Sequence, residues 1–191
     1  MDLLYILQII IIAIWMMLPA YIPNPIAAVF GGGRPIDHGK YLRDGRRILG
    51  DGKTYRGLAV GILCGLLTGV LQTALTARNI TILEVQLPSF GPDMTGSLLV
   101  ILSLSIGALC GDMFMSFFKR RLGLRRGAPL PVIDQLDFVL GAWALTYILA
   151  TDWFIANFST EIIIAVLVIT PVLHVVTNIV GYLIGVKKEP W

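Results

Sequence analysis

Charge is scarce in this 191-residue chain: 14% of residues are Asp, Glu, Lys or Arg, against 56% hydrophobic. A water-soluble domain of this length cannot hide so much apolar surface, which excludes that class and predicts a membrane protein. Cysteine is almost missing. Cys64 and Cys110 are the only two, and both sit inside apolar runs. They make neither a disulfide framework nor a zinc site, and read as small packing residues. Histidine is equally rare, with two copies. There is no Ser-His-Asp order and no reactive-Cys motif, so chemistry through a protein nucleophile is not indicated. No nucleic-acid partner is expected.

What is present is a series of long apolar runs. No charged residue occurs from Leu3 to Gly33, nor from Gly57 to Ala77. About 20 apolar residues cross a bilayer core. The pattern predicts an all-α integral membrane protein, one domain over 1–191, with five spans near 3–29, 57–77, 94–118, 138–158 and 162–186. The first run is too long and too poorly flanked for a cleaved signal and is expected to stay as a span broken near its end by Pro19, Pro23 and Pro25. Of the 15 Lys and Arg, all but Arg78 fall in the loop between spans one and two, the loop between spans three and four, or after span five. Lys187 and Lys188 supply the last group. Basic residues stay in the cytoplasm. The N-terminus is therefore expected outside, with two basic cytoplasmic loops in a multi-pass cell-membrane protein. Gly57, Gly61, Gly65 and Gly69 repeat every four residues, as do Gly107 and Gly111. Such stripes let helices approach closely, offer a smooth groove for lipid chains, and permit a homodimer.

The first basic loop contains GRRILGDGKTYRG (45–57). It is not a P-loop, because the glycine that Gly52-Lys53-Thr54 would require five residues earlier is Arg47. Its residue types still suit phosphate. Gly45, Gly50 and Gly52 free the backbone to turn, Thr54 adds a hydroxyl, and Arg46, Arg47 and Lys53 add charge. The interleaved Asp37, Asp44 and Asp51 favour a built site over a patch that merely attracts anionic lipid.

Asp112 lies inside the third predicted span, and an intramembrane carboxylate is a functional candidate by default. The structural alternative is a pair with Lys119 or Arg120. Ser116 and Lys119 follow at helical spacing and carry a polar stripe towards the loop. Asp134 and Asp137 come just after Pro129 and Pro131, three apart and on one face of a helix start. Helix capping alone is the alternative for them. Three carboxylates near one membrane face beside basic loops suit Mg²⁺, which bridges carboxylates to phosphates. In the last span, Thr170, His174, Thr177, Asn178 and Gly181 share a face. His174 is expected to hydrogen-bond between helices, and Asn178 to approach the site.

The stretches PNPIAAVFGGGRPIDHGK, LRDGRRILGDGKTYRG, GDMFMSFFKRRLGLRRG and LPVIDQLDFVLGA together resemble the CDP-archaeol synthase family over nearly the whole chain. A weaker likeness reaches bacterial CDP-diacylglycerol synthases, through Ser116, Lys119, Arg120, Asp134 and Asp137. This chain has Leu-Pro-Val-Ile before those acids, where the bacterial pattern has His-Gly-Gly, and Gln135 in place of a basic residue between them. The resemblance implies Mg²⁺-dependent transfer of a cytidylyl group from CTP to an isoprenoid glyceryl ether phosphate, with release of pyrophosphate. It implies that Asp112, Asp134 and Asp137 ligate metal, and that Arg46, Arg47 and Lys53 neutralise CTP phosphates. Gly50, Asp51, Gly52 and Thr54 then shape the loop, while Lys119 and Arg120 meet the lipid phosphate or pyrophosphate. A CDP-alcohol phosphotransferase is the main rival, but the acids after Asp44-Gly45 do not follow at that family's spacing. A transporter fits less well, because five spans do not divide into two repeats.

Overall fold

In lipid, a charge-free run satisfies its backbone only as helix or closed barrel. The computed structural model describes residues 2–124, 130 and 132–185, and these are mostly helical. Arg125, Arg126, Pro129, Pro131, Val186, Lys187 and Lys188, used above, lie outside the described residues. Helix α1 (Leu3–Tyr21) passes through Ile22, itself helical at φ −71° and ψ −39°, into α2 (Pro23–Phe30). The prolines therefore do not end the first run, which continues to Phe30. They do strip backbone donors. Pro19 has no N–H for the Trp15 carbonyl, and Gln72 Nε2 donates to that carbonyl instead at 2.7 Å. Pro23 likewise leaves the Pro19 carbonyl to the Ser105 hydroxyl, at 3.0 Å.

Helix α3 (Tyr55–Thr76) starts at Thr54, whose hydroxyl accepts from Gly57 N–H. A short hairpin of β1 (Thr81–Ile82) and β2 (Val85–Gln86) follows, a small exception to the all-α expectation. Helix α4 (Met94–Arg121) is capped by Asp93. Then come α5 (Ile133–Leu149), α6 (Thr151–Asn157) and α7 (Thr160–Leu183), the last capped by Ser159. Among the described residues, four segments are long and apolar enough to cross a membrane: 3–30, α3, α4 and α7. The predicted span 138–158 is not one helix. It divides at Ala150 (φ −143°, ψ 54°) into α5 and α6, and the bend brings Phe154 and Phe158 onto Trp143.

The core is formed where α1, α4, α5 and α7 meet, around Met16, Met17, Ile101, Leu104, Val139 and Val166. The outer faces of α3 (Leu63, Leu67, Leu71) and α7 (Ile164, Val168, Val172) are exposed and apolar, the reverse of a soluble bundle. The glycine stripes are consumed inside the chain. Gly57, Gly61, Gly65 and Gly69 are all buried, facing the backbone of α1 and α2 or the side chains of α4. They are packing surfaces within the chain, not an open lipid groove. Gly107 and Gly111 of α4 meet Gly141 of α5 backbone to backbone. A Cβ on Gly111 would lie 2.3 Å from the Asp137 carbonyl. This contact sets how close the acids of α4 and α5 can come.

Candidate active site

The loop between α2 and α3 folds around one carboxylate. Asp37 has a completely buried side chain. It accepts from Arg47 Nη2 and Nε at 2.7 and 3.1 Å, and from the backbone N–H groups of Gly39, Leu49 and Gly50. The Arg47 guanidinium holds the Asp37 carboxyl well below the ordinary carboxylate range, against the opposing effect of burial and with help from the backbone donors. Gly50 turns with φ 102°, a conformation that glycine adopts at no steric cost. Backbone bonds from Ile36 to Lys53 and from Tyr55 to Arg34 then tie the loop across its own base.

This fold delivers Lys53 to the bundle, where its ammonium pairs with Asp112 of α4. The partner of Asp112 is thus neither Lys119 nor Arg120. A cavity opens at this pair between α2, α3 and α4. Its polar lining includes Asn24, Lys53, Thr54 and Asp112, with apolar walls from Ala27, Leu58, Leu109 and Met113. Gly52 also lines it. The Thr54 hydroxyl both caps α3 and borders the cavity.

The second basic segment supplies a neighbouring cluster. Lys119 Nζ lies 2.5 Å from Asp134 Oδ2, which also accepts from Leu130 N–H at 2.9 Å. Asp134 is not the N-cap of α5, since Val132 holds that position and no side chain caps it. Asp134 Oδ1 is buried without a hydrogen-bond partner among the described residues. Asp137 Oδ1 accepts from Phe138 N–H at 2.6 Å. Asp137 lies within electrostatic reach of Asp112, Asp134 and Lys53, so the three acids and the loop lysine share one region. Among the described residues, however, no three side chains are already arranged as a metal-binding group.

The two basic segments are locked together. Arg121 Nη1 donates to both carboxylate oxygens of Asp44 at 2.7 Å and Nη2 donates to the Arg47 carbonyl, while Arg46 donates to the Arg121 carbonyl. Arg47 is occupied by Asp37 and by Asp51, the latter at 2.9 Å. In this structure Arg46 and Arg47, expected on phosphate, are engaged in contacts that brace the loop. Ser116 is half-buried one turn beyond Asp112 and outside the cavity lining. Arg120 is half-buried at the end of α4. His174 reaches Asn178 on its own helix at 3.2 Å, and Thr170 bonds the Tyr21 hydroxyl at 2.8 Å. Neither His174 nor Asn178 lines the cavity.

Sequence reasoning missed Asn24, Arg121 and the organising role of Asp37. For Asn24 the signal was available, because it and Gln8 are the only amides in the first charge-free run, and polar groups at membrane depth face functional cavities.

Comparison with known proteins places this arrangement. A family model described as CDP-archaeol synthase matches residues 6–191. The chain is 62% identical over 175 residues to a CDP-archaeol synthase of Methanosarcina mazei, covering 92% of this chain and all of that one. It is 48% identical over 179 residues to one from Halorubrum lacusprofundi, covering 94% and 96%. It is also similar to a solved intramembrane enzyme for archaeal membrane lipids biosynthesis, at 40% identity and TM-score 0.70, covering 89% of this chain and 94% of that one.

Proposed function

The chain belongs to the CDP-archaeol synthase family, a family of cytidylyltransferases, and from that premise we propose the following reaction. A phosphate oxygen of unsaturated archaetidic acid, a di-geranylgeranylglyceryl phosphate, attacks the α-phosphorus of CTP. The bond from that phosphorus to the bridging oxygen of the β-phosphate breaks. The products are the CDP-activated lipid and pyrophosphate.

The attacking phosphate is already largely ionised at neutral pH. The protein must therefore bring two anions together rather than supply a nucleophile. The observation that carries this reading is the Lys53–Asp112 pair, set in a cavity whose walls are membrane-type helices. A dissolved nucleotide enters from the loop while the lipid stays in the bilayer. Lys53 neutralises nucleotide phosphate, and Lys119, beside Asp134, is placed for the lipid phosphate or the leaving pyrophosphate. Gly50, Asp51, Gly52 and the Asp37 hub hold Lys53 in position.

The acids fit Mg²⁺ in donor chemistry. Asp134 keeps a buried carboxylate oxygen without a partner among the described residues, and Asp112 and Asp137 lie in the same region. These three would hold the ion, which when bound supplies charge neutralisation on the phosphates. The concentration of basic residues on the loop side supports a cytoplasmic site, with α5 and α6 together making a fifth crossing.

The test uses purified protein in lipid nanodiscs, CTP labelled at the α-phosphorus, and di-geranylgeranylglyceryl phosphate. Label should enter the lipid with pyrophosphate released, and EDTA should abolish transfer. Release of CMP, or transfer undiminished in EDTA, would overturn the reaction or its metal requirement respectively.

A further inference from the structure

The cavity is lined by charged groups from the loop and α4 and by uncharged groups from α2 and α3. Gly57 faces the Ala27 carbonyl, and one turn further along α3 Gly61 faces the Pro23 carbonyl and Leu109. Asn24, next to Pro23, lines the cavity about one helical turn further from the loop than Ala27. Its amide makes no hydrogen bond among the described residues, although it borders a cavity walled by Leu58, Leu109 and Met113. Asn24 is half-buried, so its amide stays open to the cavity, and a polar side chain on an apolar membrane-type helix facing a cavity is placed for a ligand contact.

We propose that Asn24 is the base-reading residue of the nucleotide site: its side-chain amide receives the pyrimidine edge, further from the loop than the phosphates. This rests on the reaction proposed above for the identity of the nucleotide. Two properties select a base over the lipid's glyceryl part. The ether oxygens only accept, so they satisfy the NH₂ half of the amide and leave its carbonyl bare. A cytosine edge offers both an acceptor at N3 and a donor at the 4-amino group, and so satisfies both halves at once. Apolar walls also suit an aromatic ring and would leave a triphosphate unneutralised, whereas Lys53 lines the cavity on the loop side.

The test reads binding as well as turnover. Affinities for CTP, for the 4-deamino analogue of CTP and for inorganic tripolyphosphate are measured by thermal stabilisation in detergent with Mg²⁺, on wild type and on Asn24→Leu, a change of similar size that a membrane helix tolerates. Wild type should bind CTP about tenfold more tightly than the 4-deamino analogue, the scale of one lost hydrogen bond. In Asn24→Leu that difference should vanish, with tripolyphosphate binding and the KM for lipid unchanged. Equal wild-type affinity for CTP and its analogue would overturn the assignment even if the variant does not fold. A raised lipid KM with unchanged CTP affinity would move Asn24 to the lipid. Failure of label transfer would instead defeat the reaction, since binding is read without turnover.

Discussion

Lys53 and Asp112 form an ion pair across 59 residues of sequence, one from the glycine-rich loop and one from the interior of α4. The pair joins the two parts that transfer between a dissolved and an embedded substrate must bring together. It also explains how a carboxylate is tolerated so far into an apolar helix. Asp112 has a cation supplied from outside its own helix, in a cavity that reaches the loop.

Lys53→Met and Asp112→Asn should each lower kcat/KM for CTP by about a hundredfold or more, the range for loss of a group acting on developing phosphate charge. The double variant should lose far less than the product of the two, because the residues act as a unit. Steady-state kinetics on the four proteins of the cycle measure this. Full multiplicativity would show that the contact has no functional consequence.

Asp37→Asn tests the loop's hub. The folded-state carboxyl is held below its ordinary value by Arg47. Its stabilising effect is therefore complete above the unfolded-state value, near pH 4, and is lost as pH falls through the lower folded-state value. The variant should be less stable than wild type by about 2 kcal/mol at pH 7, a discounted figure for breaking a buried pair whose arginine is partly exposed. The gap should close only in strong acid. Thermal unfolding in detergent from pH 7 down to pH 2 reads it. A gap independent of pH would mean that Asp37 acts through packing rather than charge.

Much of this was readable from residues alone. The two charge-free runs located the first helices to within a few residues, and four-residue glycine spacing identified the packed face of α3. The partner of Asp112 was not readable, because local spacing offers only Lys119 and Arg120. Those lie two helical turns along the same rod, about 10 Å away, whereas Lys53 arrives through a loop whose path depends on Asp37. Asp37 itself is an ordinary loop acid until Leu49, Gly50 and Arg47 close on it. The break at Ala150 was marked only by Thr151 and Asp152, which open α6 but read in the sequence as polar residues near the end of one span.

Gly111→Ala probes the α4–α5 contact. The added methyl would lie 2.3 Å from the Asp137 carbonyl, which is backbone and cannot rotate away. The helices must part, at a cost of about 1–3 kcal/mol, and Asp112 shifts relative to Asp137. Activity should fall at least tenfold, because small misplacements in a reacting site are costly. Leu63→Ala, on the outward face of α3, should leave activity unchanged. Turnover and thermal unfolding of both variants decide it, and unchanged activity in Gly111→Ala would show that the close approach does not set the site.

The proline-rich first run makes the sharpest structural prediction. Because Pro19 lacks an N–H, the Trp15 carbonyl depends on Gln72 at 2.7 Å. Gln72→Leu should cost about 1 kcal/mol, the scale of a hydrogen bond between membrane helices, seen as a fall of about 3 °C in Tm. Pro19→Ala restores the missing helical donor, so Gln72→Leu should cost measurably less in that background. The coupling is specific: a leucine that merely packed badly at position 72 would lower Tm equally whether residue 19 is proline or alanine, and only a carbonyl left without a donor makes the two positions depend on each other.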